Sequence, residues 1–74
     1  MMLEKVKVII KKVLPETDVS SITEDTDFST DLSFDSLNMM MFFVELEEAF
    51  GFRFSHPVNF EKVSDVCGYL ECRI

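Results

Sequence analysis

The sequence predicts an all-α fold: a small four-helix bundle, three main helices plus one short helix, with a long loop between helices 1 and 2. Three observations carry the prediction. Apolar residues recur at helical spacing in separate segments. Proline, glycine and serine punctuate the chain between those segments. The stretch with most strand character, "GFRF", has no second strand to pair with. The chain of 74 residues is read as one domain, residues 1–74. A domain of that size buries only about 60% of the surface its unfolded form exposes, so it needs efficient packing or a staple.

The first helix is predicted over residues 2–14. Leu3, Val6, Ile9, Ile10, Val13 and Leu14 fall near one face, with Lys5, Lys11 and Lys12 elsewhere. Pro15 ends it, because the residue before a proline avoids the helical region. Residues 15–35 show no sustained period; single apolar residues, Val19, Ile22, Phe28, Leu32 and Phe34, stand among turn-formers. A connection this long is unusual in a compact domain and is often functional, and its isolated apolar residues predict pinning across the core. The second helix is expected over 36–50, closed by Gly51, which tolerates positive φ. A short third helix is expected at "SHPVNFEKV", capped by Ser55 or His56 with Pro57 in the first helical position. Ser64 is expected to cap the last helix, with Val63, Val66, Tyr69 and Leu70 inward.

The usual staples look absent. Cys67 and Cys72 are five apart, a spacing that points them in different directions on one helix. Cys67 is read as a core thiol, Cys72 as exposed, and the chain as reduced and cytoplasmic. "MMLEKVKVII" scatters charges among its apolar residues and offers no small-residue cleavage site. The longest apolar run, Met39 to Val44, is far too short to span a bilayer.

The net charge of −7 is unevenly placed. Residues 1–14 carry four lysines against Glu4, whereas residues 15–50 carry ten Asp or Glu and no Lys or Arg. An unbroken acidic middle argues against nucleic acid as a partner. It favours basic protein surfaces, which such a field attracts and orients, although a merely solvated surface would read the same way.

The second helix has two greasy faces. Met39, Phe42, Phe43, Leu46, Ala49 and Phe50 fall within about a third of its circumference and form the expected core face. Leu37, Met40, Met41 and Val44 fall on another face beside Glu47 and Glu48, with Ser36 at its edge. Both faces can be buried in the centre of a bundle, but a chain this small has little material to cover the second. It is therefore read as an exposed, partner-binding stripe, suited to methionines because they adapt to different shapes.

Ser36 can serve simply as a helix N-cap. A hydrolase nucleophile is a poor reading, since His56 is the only histidine and no G-x-S-x-G elbow is present. A calcium loop starting at Asp25 is also poor. Asp25, Asp27, Ser29 and Asp31 alternate correctly, but Thr30 replaces the needed glycine and the twelfth position falls on Ser36.

The stretch "TDLSFDSLNMMMFFVELEEAFGFRF" resembles the region around the modified serine of acyl carrier proteins, D-L-G-x-D-S-L followed by an apolar helix ending L-E-E-x-F. Asp31, Leu32, Asp35, Ser36 and Leu37 match the motif, and Leu46, Glu47, Glu48 and Phe50 match the helix end. "FEKVSDVCGYL" is similar to the family's last helix, so the resemblance covers essentially the whole chain. It implies that Ser36 receives 4′-phosphopantetheine from coenzyme A, through a magnesium-dependent phosphopantetheinyl transferase. It also implies a non-catalytic carrier whose acyl groups ride on the arm as thioesters. Asp35, Leu37, Met40, Met41, Val44, Glu47 and Glu48 would then be the dock for acyl-loading and acyl-processing enzymes with basic surfaces, the carrier being a monomer. Three residues depart from the pattern: Ser33 replaces its glycine, Asn38 an acidic residue, and Met41 a frequent glutamate. They leave open whether the pathway is general fatty-acid or polyketide-like and specialised. The alternative reading is an unmodified acidic helical adaptor.

Overall fold

Val6, Ile9, Ile10 and Val13 repeat at helical spacing along α1 (Met2–Val13) and are all buried, so one face of this helix is the floor of the core. Glu4 in its first turn and Lys11 and Lys12 in its last complement the helix dipole. The computed structural model describes residues 2–55 and 58–73. Two further helices follow, α2 (Ser36–Phe50) and α3 (Val63–Glu71), with a single 3-10 turn at Val19–Ser21. No strand forms among the described residues, only one isolated antiparallel bridge between Asp27 and Lys62.

α1 packs against both α2 and α3, but α2 and α3 do not approach each other directly among the described residues. Aromatic side chains from the connections fill that gap. Phe28 and Phe34 from the first loop meet Phe42 of α2, at ring-centroid separations of 5.3 and 5.9 Å. Phe54 and Phe60 from the second connection lie between Phe43 of α2 and Tyr69 of α3, with separations of 5.1 to 5.7 Å. Tilted and edge-on pairs at these distances add specific attraction to the burial of each ring. Ile22 and Phe28 are buried, and Val19, Leu32 and Phe34 pack against the core, so the first loop is pinned as its isolated apolar residues predict.

The long loop is organised by its own acids. Asp18 Oδ1 accepts from the Ser20 hydroxyl and N–H and caps the 3-10 turn. Asp27 Oδ1 accepts from Ser29 N–H, Ser29 Oγ and Thr30 N–H, while Asp31 Oδ2 accepts from Asp27 N–H. These are side-chain turns that satisfy backbone donors where no helix or sheet does.

Three expectations need correction. Ala49 is exposed, lying at the edge of the core arc. The cap position of α3 is Lys62 rather than Ser64, and its first turn is completed from outside the helix. Asp65 Oδ2 accepts from Glu61 N–H and Lys62 N–H, and carbonyls of the first loop, Thr26 O and Glu24 O, take Val63 N–H and Ser64 N–H. The expected short helix is not found at Ser55 or over 58–62, while its other residues, His56 and Pro57, lie outside the described residues. Val8, whose apolar side chain the periodicity leaves off the core face, is exposed on α1.

Candidate functional site

α2 begins with a reciprocal pair. The Asp35 carboxylate accepts from Asn38 N–H at 2.7 Å, and Asn38 Oδ1 accepts from Asp35 N–H at 3.2 Å. This is a capping box with asparagine in the return position, and it assigns the N-cap to Asp35. Ser36 is thereby released from capping. It is the first residue inside the helix, exposed, and its hydroxyl makes no hydrogen bond to any described residue. Its N–H and that of Leu37 are first-turn donors with no partner among the described residues, at the positive end of the helix dipole.

The approach to Ser36 is fixed by the preceding turn. Asp31 N–H and Leu32 N–H both donate to Asp27 O, and Phe34 N–H donates to Phe28 O. Ser33, between them, has φ 57°, the left-handed region that glycine occupies at no steric cost. Serine thus keeps a glycine-type backbone conformation at this position. Thr30 N–H, with the Ser29 hydroxyl and N–H, holds the Asp27 carboxyl below the usual carboxylate range. The Ser20 hydroxyl and N–H do the same for Asp18.

Beside Ser36 lies an open cleft of about 450 Å³, lined by Phe28, Phe34, Asp35, Met39, Asn59 and Phe60 among others. On the other side the predicted stripe is exposed: Leu37 61%, Met40 62%, Met41 42% and Val44 46%. They are four of the five large hydrophobic residues exposed among the described residues, Val8 on α1 being the fifth. Glu48 is exposed beside them. Glu47 is half-buried, and its carboxylate accepts from Phe54 N–H at 2.9 Å. The structure therefore brings Asp35, Ser36, Leu37, Met40, Met41, Val44 and Glu48 to one accessible side, and turns Glu47 partly inward.

Sequence reasoning missed two roles. Asn38 was legible, because three residues after an N-cap is the capping-box spacing. Glu47 was not, since its partner is the backbone of a residue seven positions on, beyond Gly51, whose φ of 69° reverses the chain.

A free hydroxyl on a first helical turn, next to unpaired N–H groups and an open cleft, fits a phosphodiester-linked group. The anion would lie where a helix N-terminus favours negative charge. Known proteins agree. Residues 4–70 match the family model described as "Phosphopantetheine attachment site". The acyl carrier protein of Onion yellows phytoplasma is 38% identical over 72 residues, covering 95% of this chain and 93% of that protein. The acyl carrier protein of Phytoplasma australiense is 40% identical over 73 residues, covering 96% and 95%. That of Lactobacillus acidophilus is 47% identical over 36 residues, about half of each chain. The chain belongs to the phosphopantetheine-bearing acyl carrier protein family. The family's prosthetic group is covalent 4′-phosphopantetheine, and its members are carriers rather than catalysts.

Proposed function

We propose that Ser36 is the attachment point of the arm and that this carrier, acting as a monomer, serves fatty-acid or specialised, polyketide-like biosynthesis in the cytoplasm. The observation that carries the site is the exposed Ser36 hydroxyl, left without an internal partner because Asp35 and Asn38 cap α2 between them. In the loading step Ser36 Oγ bonds to the β-phosphorus of coenzyme A, and the bond from that phosphorus to the departing adenosine bisphosphate breaks. The serine proton leaves to a base of the phosphopantetheinyl transferase.

When bound, the arm supplies a terminal thiol that carries acyl groups as thioesters. The chain's own residues do the positioning. Ser36 and Leu37 present unpaired N–H groups to the phosphodiester, and the capping box holds the first turn of α2 still. The stripe of Leu37, Met40, Met41 and Val44, with Glu48 beside it, receives acyl-loading and acyl-processing enzymes that carry basic surfaces. No helix among the described residues is long and apolar enough to cross a membrane.

The test is intact mass after incubation with a broad-specificity transferase, coenzyme A and Mg²⁺. One phosphopantetheine should be added to the wild type and none to Ser36→Ala. Addition to the mutant, at Ser29 or Ser33 for example, places the arm elsewhere. No addition to the wild type favours an unmodified adaptor.

A further inference from the structure

The outer face of α1 is basic on a chain whose net charge is −7. Four of the seven Lys and Arg residues, Lys5, Lys7, Lys11 and Lys12, stand on this one helix. The chain holds fourteen Asp and Glu, yet among the described residues only Lys7 pairs with one of them, Glu4. No described carboxylate lies within ion-pair distance of Lys5, Lys11 or Lys12. Lys11 Nζ instead donates to Thr17 O at 3.1 Å. Lys7, Val8, Lys11 and Lys12, with Glu4, form one wall of an open groove of about 620 Å³, and Val19 and Ser20 of the 3-10 turn form the other. Val8 is 59% exposed, the one large apolar residue exposed outside α2 among the described residues. Lys7 and Lys11 are four residues apart, as are Val8 and Lys12, which sets each pair about 6 Å apart along the axis. The groove is thus an apolar spot flanked by cations.

We propose that this groove binds an acidic helical segment of another protein, which rests one aliphatic side chain on Val8 and sets carboxylates against Lys7, Lys11 and Lys12. Carboxylates three or four residues apart on such a helix share the spacing of the lysines, roughly 5–6 Å. Charge and apolar contact are both needed, because exposed ion pairs contribute little singly and Val8 is the only large apolar side chain exposed there. Three other occupants fit less well. A second copy of this chain brings its own net charge of −7, and two α1 faces set together oppose lysine to lysine. An anionic membrane meets the same net charge, and helices that lie in an interface bury large side chains such as Trp, Phe and Leu, where this face offers Val8. A small molecule is poorly held by an open groove, since ligand sites enclose most of the ligand surface. The groove shares no residue with the cleft beside Ser36 or with the α2 stripe. The proposal therefore stands independently of the arm, and Ser36→Ala should bind the segment as the wild type does.

The probe is a synthetic peptide of about 18 residues, long enough to be helical, with a single Leu and Glu placed three and four residues to either side of it. A second peptide carries Gln in place of every Glu. Each is titrated into the ¹⁵N-labelled protein at about 150 mM NaCl, and amide shifts are followed by NMR. The acidic peptide should give saturable shifts centred on Lys7, Val8, Lys11, Lys12, Val19 and Ser20, with a Kd on the order of 1 mM or tighter; the Gln peptide should give none. Lys12→Glu should weaken binding about tenfold, since it replaces an attraction with a repulsion. Lys5→Glu makes the same charge change outside the groove, about 10 Å away along the helix and beyond the screening length of about 8 Å, and should weaken it less than about twofold. Val8→Ala keeps a good helix former and should weaken binding about three- to fivefold by removing apolar contact. The spectra themselves show that each variant is folded. Equal losses in Lys5→Glu and Lys12→Glu with Val8→Ala unchanged overturn the proposal, because the attraction is then general charge. It is equally overturned if the acidic peptide causes no saturable shift, or if the same residues respond instead to concentrating the protein alone or to vesicles of phosphatidylglycerol and phosphatidylcholine, which would assign the face to a second copy or to a membrane.

Discussion

Glu47 and Phe54 are joined by a hydrogen bond of 2.9 Å from the Phe54 backbone N–H to Glu47 Oε2, across the left-handed turn at Gly51. The bond ties the end of α2 to the connection that carries Phe52 and Phe54 into the aromatic cluster. Glu48, one residue on, makes no such bond and is exposed. Glu47→Ala should therefore cost about 1–2 kcal/mol, the range for losing a hydrogen bond to a charged acceptor near the surface. Glu48→Ala should stay within about 0.5 kcal/mol of the wild type. Urea unfolding of the two variants side by side checks this; equal stabilities would show that the bond contributes nothing.

Ser33 and Gly68 are each in the conformation that suits the other's residue type. Ser33 sits at φ 57°, whereas Gly68 lies inside α3, where an added Cβ meets nothing within 4 Å. Ser33→Gly should relieve a left-handed strain of about 1 kcal/mol, and Gly68→Ala should gain about 1 kcal/mol in helix propensity. For a domain of this size each should raise Tm by roughly 4–8 °C, and the two should add because they lie in separate elements. A lower Tm for either variant contradicts the backbone geometry at that position.

Asp27 imposes a pH dependence with a definite sign. Its carboxyl is held below the ordinary value of 3.8 by hydrogen bonds from Thr30 and Ser29, so the folded state favours its ionised form. That contribution is complete above the unfolded value and is lost as pH falls through the folded one. The stability difference between wild type and Asp27→Asn should be constant from about pH 7 to 5 and shrink below about pH 4. Guanidinium unfolding across that range measures it, and a difference that grows toward low pH reverses the assignment.

Phe42 and Met41 are neighbours in sequence with opposite duties. Phe42 is fully buried and Met41 is 42% exposed. Phe42→Ala should cost about 3–5 kcal/mol, enough to unfold much of a marginal domain, with Phe43→Ala milder because Phe43 is only half-buried. Met41→Glu should change Tm little while altering turnover of the acylated carrier by its enzymes. Melting curves beside acyl-loading rates decide the matter; an unfolded Met41→Glu would mean that the stripe belongs to the core.

Residues 15–50 hold ten acids and no Lys or Arg, and among the described residues the ion pair formed is Lys7–Glu4 within α1. Their mutual repulsion opposes folding. Added salt should raise Tm by screening, and an unchanged Tm would show that the backbone donors around Asp18, Asp27 and Asp31 already offset it.

Strong local signals made much of this legible. α2 matches its expected range, 36–50, because a turn-forming loop precedes it and Gly51, at φ 69°, follows it. α1 ends one residue short of expectation, at Val13, though Leu14 N–H still reaches Ile10 O. Cys67 is buried, with burial and then Glu24 and Glu71 pushing its thiol pKa up, and Cys72 is exposed, as their helical positions implied. What escaped the sequence was non-local. The start of α3 depends on Thr26 and Glu24, far upstream, and Glu47 on a partner beyond a chain reversal. Ser33 is left-handed although serine seldom is, and the one pointer to it was the glycine of the family pattern at that position. Ala49 fell within the angular arc of the core, yet it is exposed.

The completion of α3 by the first loop also has a kinetic side. Nine residues are too few to stay helical alone, and the donors of the first turn find their acceptors almost forty positions back along the chain, at Thr26 and Glu24. Phe28 N–H returns the contact to Glu61 O, so the link is made from both sides. A long segment containing all of α2 must therefore be looped before α3 has a stable start, and closure of that loop is an entropic barrier that no local propensity removes.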